Sequence, residues 1–164
     1  MIYTGTLPIQ EYLLSVQFAK DCINSNLDKY YKRKQSDPIK IYNDILIGKV
    51  AEFFIFLNVS GCSYPDLKVY ASADKSFDAD LIKDKYKIHV KSCRKDSAFE
   101  HSWVFQPEDD LVANPSRYDV LALCIVDGGN VECMTIPAKE VEYKDPVKNL
   151  NKKVIYKKDL EWKI

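Results

Sequence analysis

Two short segments in the middle of the chain carry polar side chains at alternate positions. The first contains Asp78 and Asp80, and the second contains His89 and Lys91. Neighbouring carboxylates repel each other, and Mg²⁺ relieves that repulsion because it prefers carboxylate, carbonyl, water and phosphate oxygens as ligands. A lysine ammonium beside such an ion can hold a water molecule or a phosphate oxygen. These residue types therefore predict metal-assisted hydrolysis of a phosphodiester bond.

The alternation over residues 76–82 and 86–93 predicts two β-strands. A turn centred on residues 84–85 would pair Asp80 with His89, and the same register pairs the other carboxylate with the lysine. Because side chains alternate between the two faces of a strand, all four polar residues are expected on one face. The opposite face would carry the apolar residues Phe77, Ala79, Leu81, Ile88 and Val90.

A carboxylate also occurs in an apolar helix upstream of these strands. Asp37 is a good N-cap and Pro38 suits the first helical turn, and residues 39–57 are then apolar nearly all round before Gly61. Such a helix is expected to be buried, which makes Glu52 conspicuous. Glu52 is either a ligand of the metal site or a structural carboxylate bonded to nearby backbone groups.

Taken in order, these segments resemble the PD-(D/E)xK nuclease superfamily. Its pattern is a helical Glu, an Asp on one strand, a short hairpin and an acidic-x-Lys triplet on the next strand. The matching segments here are GKVAE, which ends at Glu52, then FDADLI and IHVKS. The resemblance covers residues 37–127 and implies a restriction endonuclease-like core, in which elements of the order α-β-β-β-α-β surround a mixed sheet.

The resemblance implies an endonuclease that cuts DNA with Mg²⁺ or Mn²⁺. Asp80 or Asp78 would be the metal ligand on the first strand, and Val90 would offer its backbone carbonyl. Glu52 would bind the metal directly or through water, and Lys91 would activate the attacking water. The implied catalytic set is Asp78, Asp80, His89, Lys91 and Glu52, and the implied metal ligands are Asp78, Asp80, Glu52 and Val90.

One position departs from the family pattern, because His89 stands where the triplet usually has Glu or Asp. Neutral imidazole is a poor ligand for Mg²⁺ and a fair one for Mn²⁺. His89 would therefore change the metal preference, orient the water, or mark a weakened site. The alternative function is a catalytically weakened module of nuclease fold that binds nucleic acid or a protein partner. RNA also stays open as a target, because no motif distinguishes a 2′-hydroxyl.

The other elements complete an α/β (α+β) fold class, with a mixed sheet flanked by helices. Apolar spacing predicts a helix over residues 8–24, followed by a basic and aromatic linker over residues 29–35. Further strands are predicted over residues 67–71, 103–105, 120–126, 131–136 and 154–156, with a turn at residues 127–130. A chain of 164 residues is expected to form a single nuclease-like domain over residues 1–164.

The charges cancel only as totals. The 24 Lys and Arg residues equal the 24 Asp and Glu residues, which excludes a uniformly basic nucleic-acid binder. Residues 29–40 nevertheless contain five basic residues against one acid, with tyrosines among them. Such a cluster suits contact with backbone phosphates. We expect DNA, as a duplex, to be the partner, and the expected DNA-binding residues are Lys32, Arg33, Lys34, Arg94 and Lys95.

Cysteine usage and apolar runs bear on location. The five cysteines form no CxxC pair, which argues against a disulfide framework and a zinc ribbon. The first residues do not have the pattern of a secretory signal, and the longest strictly apolar run, residues 120–126, is far too short to span a membrane. We expect a cytoplasmic protein without a membrane partner. A homodimer would offer two symmetric sites for the two strands of a duplex.

Overall fold

The computed structural model describes residues 1–32, 34–70, 79–97, 101–146 and 151–162. These residues form helices, a mixed sheet and a small second sheet, which confirms the predicted α+β class. Two of the predicted functional residues, Asp78 and Arg33, lie outside the described residues. The restriction endonuclease-like core stays a prediction.

Two long helices precede most of the strands. Helix α1 spans Ile9–Lys32 and helix α2 spans Pro38–Asn58. The N-cap of α2 is Asp37, as predicted, because its carboxylate accepts hydrogen bonds from the backbone N–H groups of Ile39 and Lys40. The capping carboxylate satisfies two donors that the first helical turn leaves without intrahelical partners.

Helix α1 extends beyond the predicted end at residue 24. The linker predicted over residues 29–35 is therefore wrong as far as Lys32, which is helical. The helix changes direction at Asn26, whose backbone angles are φ −134° and ψ 19°. Asn26 is buried, and its amide Nδ2 donates to the carbonyl oxygen of Tyr70 at 3.3 Å. This tertiary contact anchors the second half of α1, and apolar spacing alone gives no sign of it.

Seven strands and a short third α-helix also belong to the described fold. In chain order they are β1 Ile2–Thr6, β2 Leu81–Lys83, β3 Tyr86–Arg94, β4 Ser102–Phe105, α3 Asp110–Ala113, β5 Val120–Asp127, β6 Asn130–Pro137 and β7 Lys153–Tyr156. The main sheet has the order β1-β6-β5-β3-β2, and β4 pairs with β7 in the small sheet. Strands β3 and β5 run parallel, whereas all other neighbours are antiparallel.

Both predicted hairpins form with the predicted turns. In the first, Leu81 pairs with Ile88, and the turn residue Asp84 has a φ of 53°. In the second, β5 turns into β6 through Gly128, whose φ of 58° suits a residue without a Cβ. The strands predicted over residues 103–105 and 154–156 also form, but they pair with each other rather than with the main sheet.

Two strand predictions fail near the edges of the sheet. Strand β1 was not predicted, because its short segment lacks clear alternation. The strand predicted over residues 67–71 is wrong at residues 67–70, which form no strand. There the carboxylate of Asp66 accepts hydrogen bonds from the backbone N–H of Lys68 at 2.8 Å and from the hydroxyl of Tyr70 at 2.7 Å. Such local bonds compete with strand pairing.

Strand β5 shows how the layers pack on the main sheet. Cys124 belongs to a hydrophobic core that includes Phe53 and Phe54 of α2. Its neighbour Leu123 belongs to a second core, which includes Trp103 of β4. Because successive side chains leave a strand on opposite faces, the sheet is buried on both sides. None of the helices in the described ranges has the length and apolar character needed to cross a membrane.

Candidate active site

Asp80 lies directly before β2, at the point where the regular pairing of β2 with β3 stops. Its backbone N–H donates to the carbonyl of Ile88 at 3.1 Å, but its side-chain Oδ2 accepts the next N–H on β3, that of Val90, at 2.7 Å. A side chain thereby takes the place of a backbone partner. The regular strand predicted over residues 76–82 is consequently wrong at residues 79–80, because pairing begins only at Leu81.

His89 faces Asp80 across the hairpin, as the register requires. The distance between His89 Nδ1 and Asp80 Oδ2 is 3.1 Å, and the imidazole ring lies 5.1 Å from the ring of Tyr118, measured between centroids. Both contacts of the Asp80 carboxylate described so far use Oδ2. A role for Asp80 in binding a further ligand therefore falls to Oδ1.

Strand β3 directs its side chains towards both cores. Ile88 belongs to the core beside α2, and Val90 packs against it. Lys91 projects the other way and lies with its Nζ 4.9 Å from the centroid of the Phe105 ring. The predicted division of β3 into two faces is therefore observed. Ala79 was predicted to share the face of Val90, but it packs against the second core, because the chain leaves the pairing pattern before Leu81.

The electrostatic surroundings of Lys91 suit a residue that exchanges protons. Burial lowers the pKa of Lys91, while the negative charges of Asp109 and Asp80 oppose that shift. A lysine with a lowered pKa releases its proton nearer to neutral pH than an exposed lysine does. Asp109 is a neighbour that no motif indicated, since it comes from the segment just before α3.

Glu52 lies on the other side of the sheet and is paired with a lysine. Its Oε2 accepts a hydrogen bond from Lys49 Nζ at 2.5 Å, and the same ammonium donates to the carbonyl oxygen of Asp66 at 2.7 Å. The side chain of Glu52 is 16% exposed and that of Lys49 is 7% exposed. Burial raises the pKa of Glu52 to about 8; Lys49 opposes this rise, and Asp80 adds to it.

Asp80 and Glu52 border the same cavity. This cavity has a volume of about 170 Å³ and lies between α1, α2 and residues 66–70. Its polar lining includes Asn26, Lys49, Glu52, Asp66 and Asp80. Asp80 thus occupies a central position, because its charge acts on Glu52 from one side and on Lys91 from the other.

A larger groove opens beside Lys91. Its volume is about 930 Å³, and it runs between the N-terminal half of α2, strand β3 and strand β4. The cationic side chains in its lining are Lys40, Lys91, Arg94 and Lys152, and the acidic ones are Asp37 and Asp44. The groove is therefore positive on balance, although Lys40 pairs with Asp44 at 2.7 Å.

The structure separates the residues expected to contact DNA. Arg94 lines the groove, where its Nε lies 3.1 Å from Asp96 Oδ1. Lys95 does not line the groove. Its Nζ lies 3.6 Å from Asp127 Oδ2, and its side chain lines a different pocket beside β1. Lys32 and Lys34 are exposed at the end of α1, and the next residue, Gln35, lines the groove.

Lys49 is the site residue that sequence reasoning missed. A signal for it was present, because Lys49 precedes Glu52 by three residues and such pairs meet on one face of a helix. The resemblance drew attention to the carboxylate alone. Asp109, by contrast, left no comparable signal in the sequence.

The donor atoms around Asp80 suit a hard divalent ion. The N–H and C=O of one residue leave an extended strand on the same side, so the carbonyl of Val90 faces the edge where its N–H meets Asp80. Carboxylate and carbonyl oxygens fit Mg²⁺ or Mn²⁺, and an imidazole beside them favours Mn²⁺. Across the described residues, no group of three or more His, Cys, Asp and Glu side chains is arranged to hold a metal ion. The second predicted carboxylate, Asp78, lies outside that part of the chain.

Comparisons with known proteins do not name a relative. No protein-family model matches the chain, and neither a curated protein nor a solved structure matches it. The resemblance to the PD-(D/E)xK superfamily therefore depends on the sequence motifs alone.

Proposed function

We propose that this protein is a metal-dependent endonuclease that hydrolyses phosphodiester bonds in DNA. The observation that supports the proposal is the position of Asp80, whose charge acts on both Glu52 and Lys91. A carboxylate beside a cavity and a lysine with a lowered pKa are the groups that a hydrolytic site requires. Ionisable groups with perturbed pKa values beside a cavity or a groove are typical of active sites.

Each residue of the proposed site has a distinct task. Asp80 and the carbonyl of Val90 would hold Mg²⁺ or Mn²⁺, with Asp78 as the further carboxylate. When bound, the ion polarises the phosphate and lowers the pKa of a coordinated water. Lys91 positions the attacking water and, in its neutral form, accepts its proton, which the lowered pKa favours. His89 holds the carboxylate of Asp80 in place through the 3.1 Å contact.

The groove beside Lys91 is the proposed path of the DNA backbone. Lys40, Arg94 and Lys152 lie along it, so a phosphate chain in the groove would pass Lys91. Contacts of this kind position the backbone without reading base sequence, and they weaken as salt concentration rises. A duplex cut on both strands is most simply served by a homodimer, which we propose as the active form.

The decisive experiment is cleavage of supercoiled plasmid by the purified protein with Mg²⁺ or Mn²⁺, with and without EDTA. We expect nicked and linear products that depend on the divalent ion and disappear in Lys91→Ala. Lys139→Ala is the matched control, since Lys139 is exposed on a turn away from the groove. Equal cleavage by wild type and Lys91→Ala, or no cleavage with either ion, would refute the mechanism. Single-stranded DNA and RNA substrates, tested in parallel, identify the nucleic acid.

The contact between His89 and Asp80 favours a second candidate function. Because the imidazole already occupies Oδ2, the site could be one whose metal affinity has been lost. The protein would then be a non-catalytic module that binds nucleic acid or a protein partner. Calorimetric titration with Mn²⁺ separates the two functions: absence of binding, together with retained affinity for duplex DNA, supports the module and contradicts the nuclease.

A further inference from the structure

The side-chain ammonium of Lys49 lies in the cavity beside Asp80. Lys49 Nζ is 2.5 Å from Glu52 Oε2, 2.7 Å from the carbonyl oxygen of Asp66 and 4.4 Å from the centroid of the Phe18 ring. A carboxylate oxygen and a backbone carbonyl oxygen are also the ligands that a divalent ion takes in proteins. The ammonium therefore stands where an ion bound to both Glu52 Oε2 and the Asp66 carbonyl would have to be.

Three separate parts of the fold hold this ammonium in position. Lys49 and Glu52 lie one turn apart on α2, Asp66 belongs to the segment after α2, and Phe18 belongs to α1. An ion that bound to Glu52 Oε2 would have to displace Lys49 and leave a buried ammonium without its hydrogen-bond partner. Leaving a buried charge without its partner in this way is strongly unfavourable.

We infer that Lys49 is the resident cation of Glu52 and that it restricts the proposed active site to one divalent ion, bound on the Asp80 side. This inference rests on the proposed function, and it replaces the ligand role that the family resemblance implied for Glu52. Glu52 then acts on the site through its pairing with Lys49 and not through contact with the metal. Lys49 is a specificity residue, because it determines how many ions the cavity accepts.

The test measures metal binding and does not depend on activity. Mn²⁺ is titrated into the full, metal-free chain at a fixed pH, and bound Mn²⁺ is followed by electron paramagnetic resonance and calorimetry. We expect one ion in the wild type, loss of that ion in Asp80→Asn, and less than a twofold change in affinity in Glu52→Gln. Lys49→Met is expected to bind a second ion or to bind Mn²⁺ at least tenfold more tightly. The double variant Lys49→Met/Glu52→Gln should lose that gain.

Several outcomes would overturn the inference. A tenfold loss of affinity in Glu52→Gln would show that Glu52 binds the ion in the wild type. Unchanged binding in Lys49→Met would show that Lys49 does not compete with a metal. Lys49→Gln, which keeps a hydrogen-bond donor, replaces Lys49→Met if circular dichroism shows that the latter does not fold.

If the proposed function is wrong, the same titrations give a different pattern of Mn²⁺ binding. If the wild type binds no Mn²⁺, the proposed metal site at Asp80 is wrong. A gain in Lys49→Met that depends on Glu52 would still support the inference about Lys49 in that case, and the absence of a gain would refute it.

Discussion

Lys49 is buried and Lys91 is half-buried, and the surroundings of these two lysines differ. Lys49 meets a carboxylate at 2.5 Å, a backbone carbonyl at 2.7 Å and the face of an aromatic ring. Lys91 also lies over an aromatic ring, that of Phe105, at 4.9 Å, but Asp109 and Asp80 act on it as surrounding charges. One ammonium is fully engaged by named partners, whereas the other is partly desolvated beside an open groove.

This difference indicates a structural role for Lys49 and a catalytic role for Lys91. A buried charge is tolerated when it is paired and hydrogen-bonded, and otherwise its pKa moves towards the neutral form. Lys49 has the paired arrangement, so we expect its removal to affect folding. Lys91 has the lowered pKa, so we expect its removal to affect chemistry.

The largest expected effect is the loss of stability in Lys49→Met. At pH 9, where Glu52 is ionised, the variant leaves a buried carboxylate unpaired, and the expected loss is about 3 kcal/mol. The loss should be smaller at pH 6, because Glu52, with a pKa of about 8, already holds a proton there and leaves no unpaired carboxylate. Urea denaturation followed by circular dichroism measures both values. A loss that is the same at both pH values contradicts this explanation.

Asp66→Asn is the matched control for that substitution. Lys49 uses the backbone carbonyl of Asp66, which the substitution leaves in place. The substitution weakens the exposed side-chain bonds to Lys68 and Tyr70 and removes a negative charge that acts on Lys49 and Glu52. We therefore expect a loss of about 0.5–1 kcal/mol. A larger loss would mean that the cavity depends on the conformation of residues 66–70 and not only on the Lys49 pair.

The second largest effect is the pH dependence that Glu52 gives to the free energy of unfolding. Its pKa is about 8 in the folded protein against an ordinary value of 4.5, so between these values only the folded state holds the proton. Stability is therefore unaffected by this group below about pH 4.5 and falls as pH rises towards 8, by roughly 1.4 kcal/mol per pH unit at most. From pH 6 to pH 8 the expected loss is about 2 kcal/mol. In metal-free buffer, Glu52→Gln should remove this loss.

Much of the fold could be predicted from the sequence because its signals are local. The cap at Asp37, the alternation in β3 and the turns at residues 84–85 and 127–130 all depend on near neighbours. The bend at Asn26 and the failed strand at residues 67–70 depend on contacts between distant segments or on competing side-chain bonds. Apolar spacing gives no sign of the bend, and the failed strand depends on local bonds from Asp66 that the alternation of side chains does not take into account.

The candidate site could be predicted in part for the same reason. Strand register places Asp80 beside His89, and both belong to one hairpin. Helical spacing could have shown that Lys49 accompanies Glu52, but only the fold shows that Asp66 offers its carbonyl to the same ammonium. Likewise, only the packing of β4 against β3 reveals that Lys91 lies over Phe105 and has a lowered pKa.

The smallest effect on stability is expected at Lys91, where the effect on activity should be the largest. Met has a similar stem, and its sulfur packs well beside an aromatic ring such as Phe105. Lys91→Met therefore removes the cost of desolvating a charge, and we expect stability at pH 7 to stay equal or to rise by about 1 kcal/mol. Because a lowered lysine pKa penalises the folded state only while the amine is protonated, any gain should shrink as pH rises towards 10.5.

Two measurements on Lys91→Met complete the contrast with Lys49. Urea denaturation at pH 7 and pH 10 gives the change in stability, and plasmid cleavage gives the change in activity. Lys139→Met, at an exposed turn position, should alter neither. A variant that loses several kcal/mol would make Lys91 a structural cation like Lys49. A stable variant without cleavage would place the chemistry on the Lys91 side of the sheet, since retained stability rules out unfolding as the cause of the lost activity.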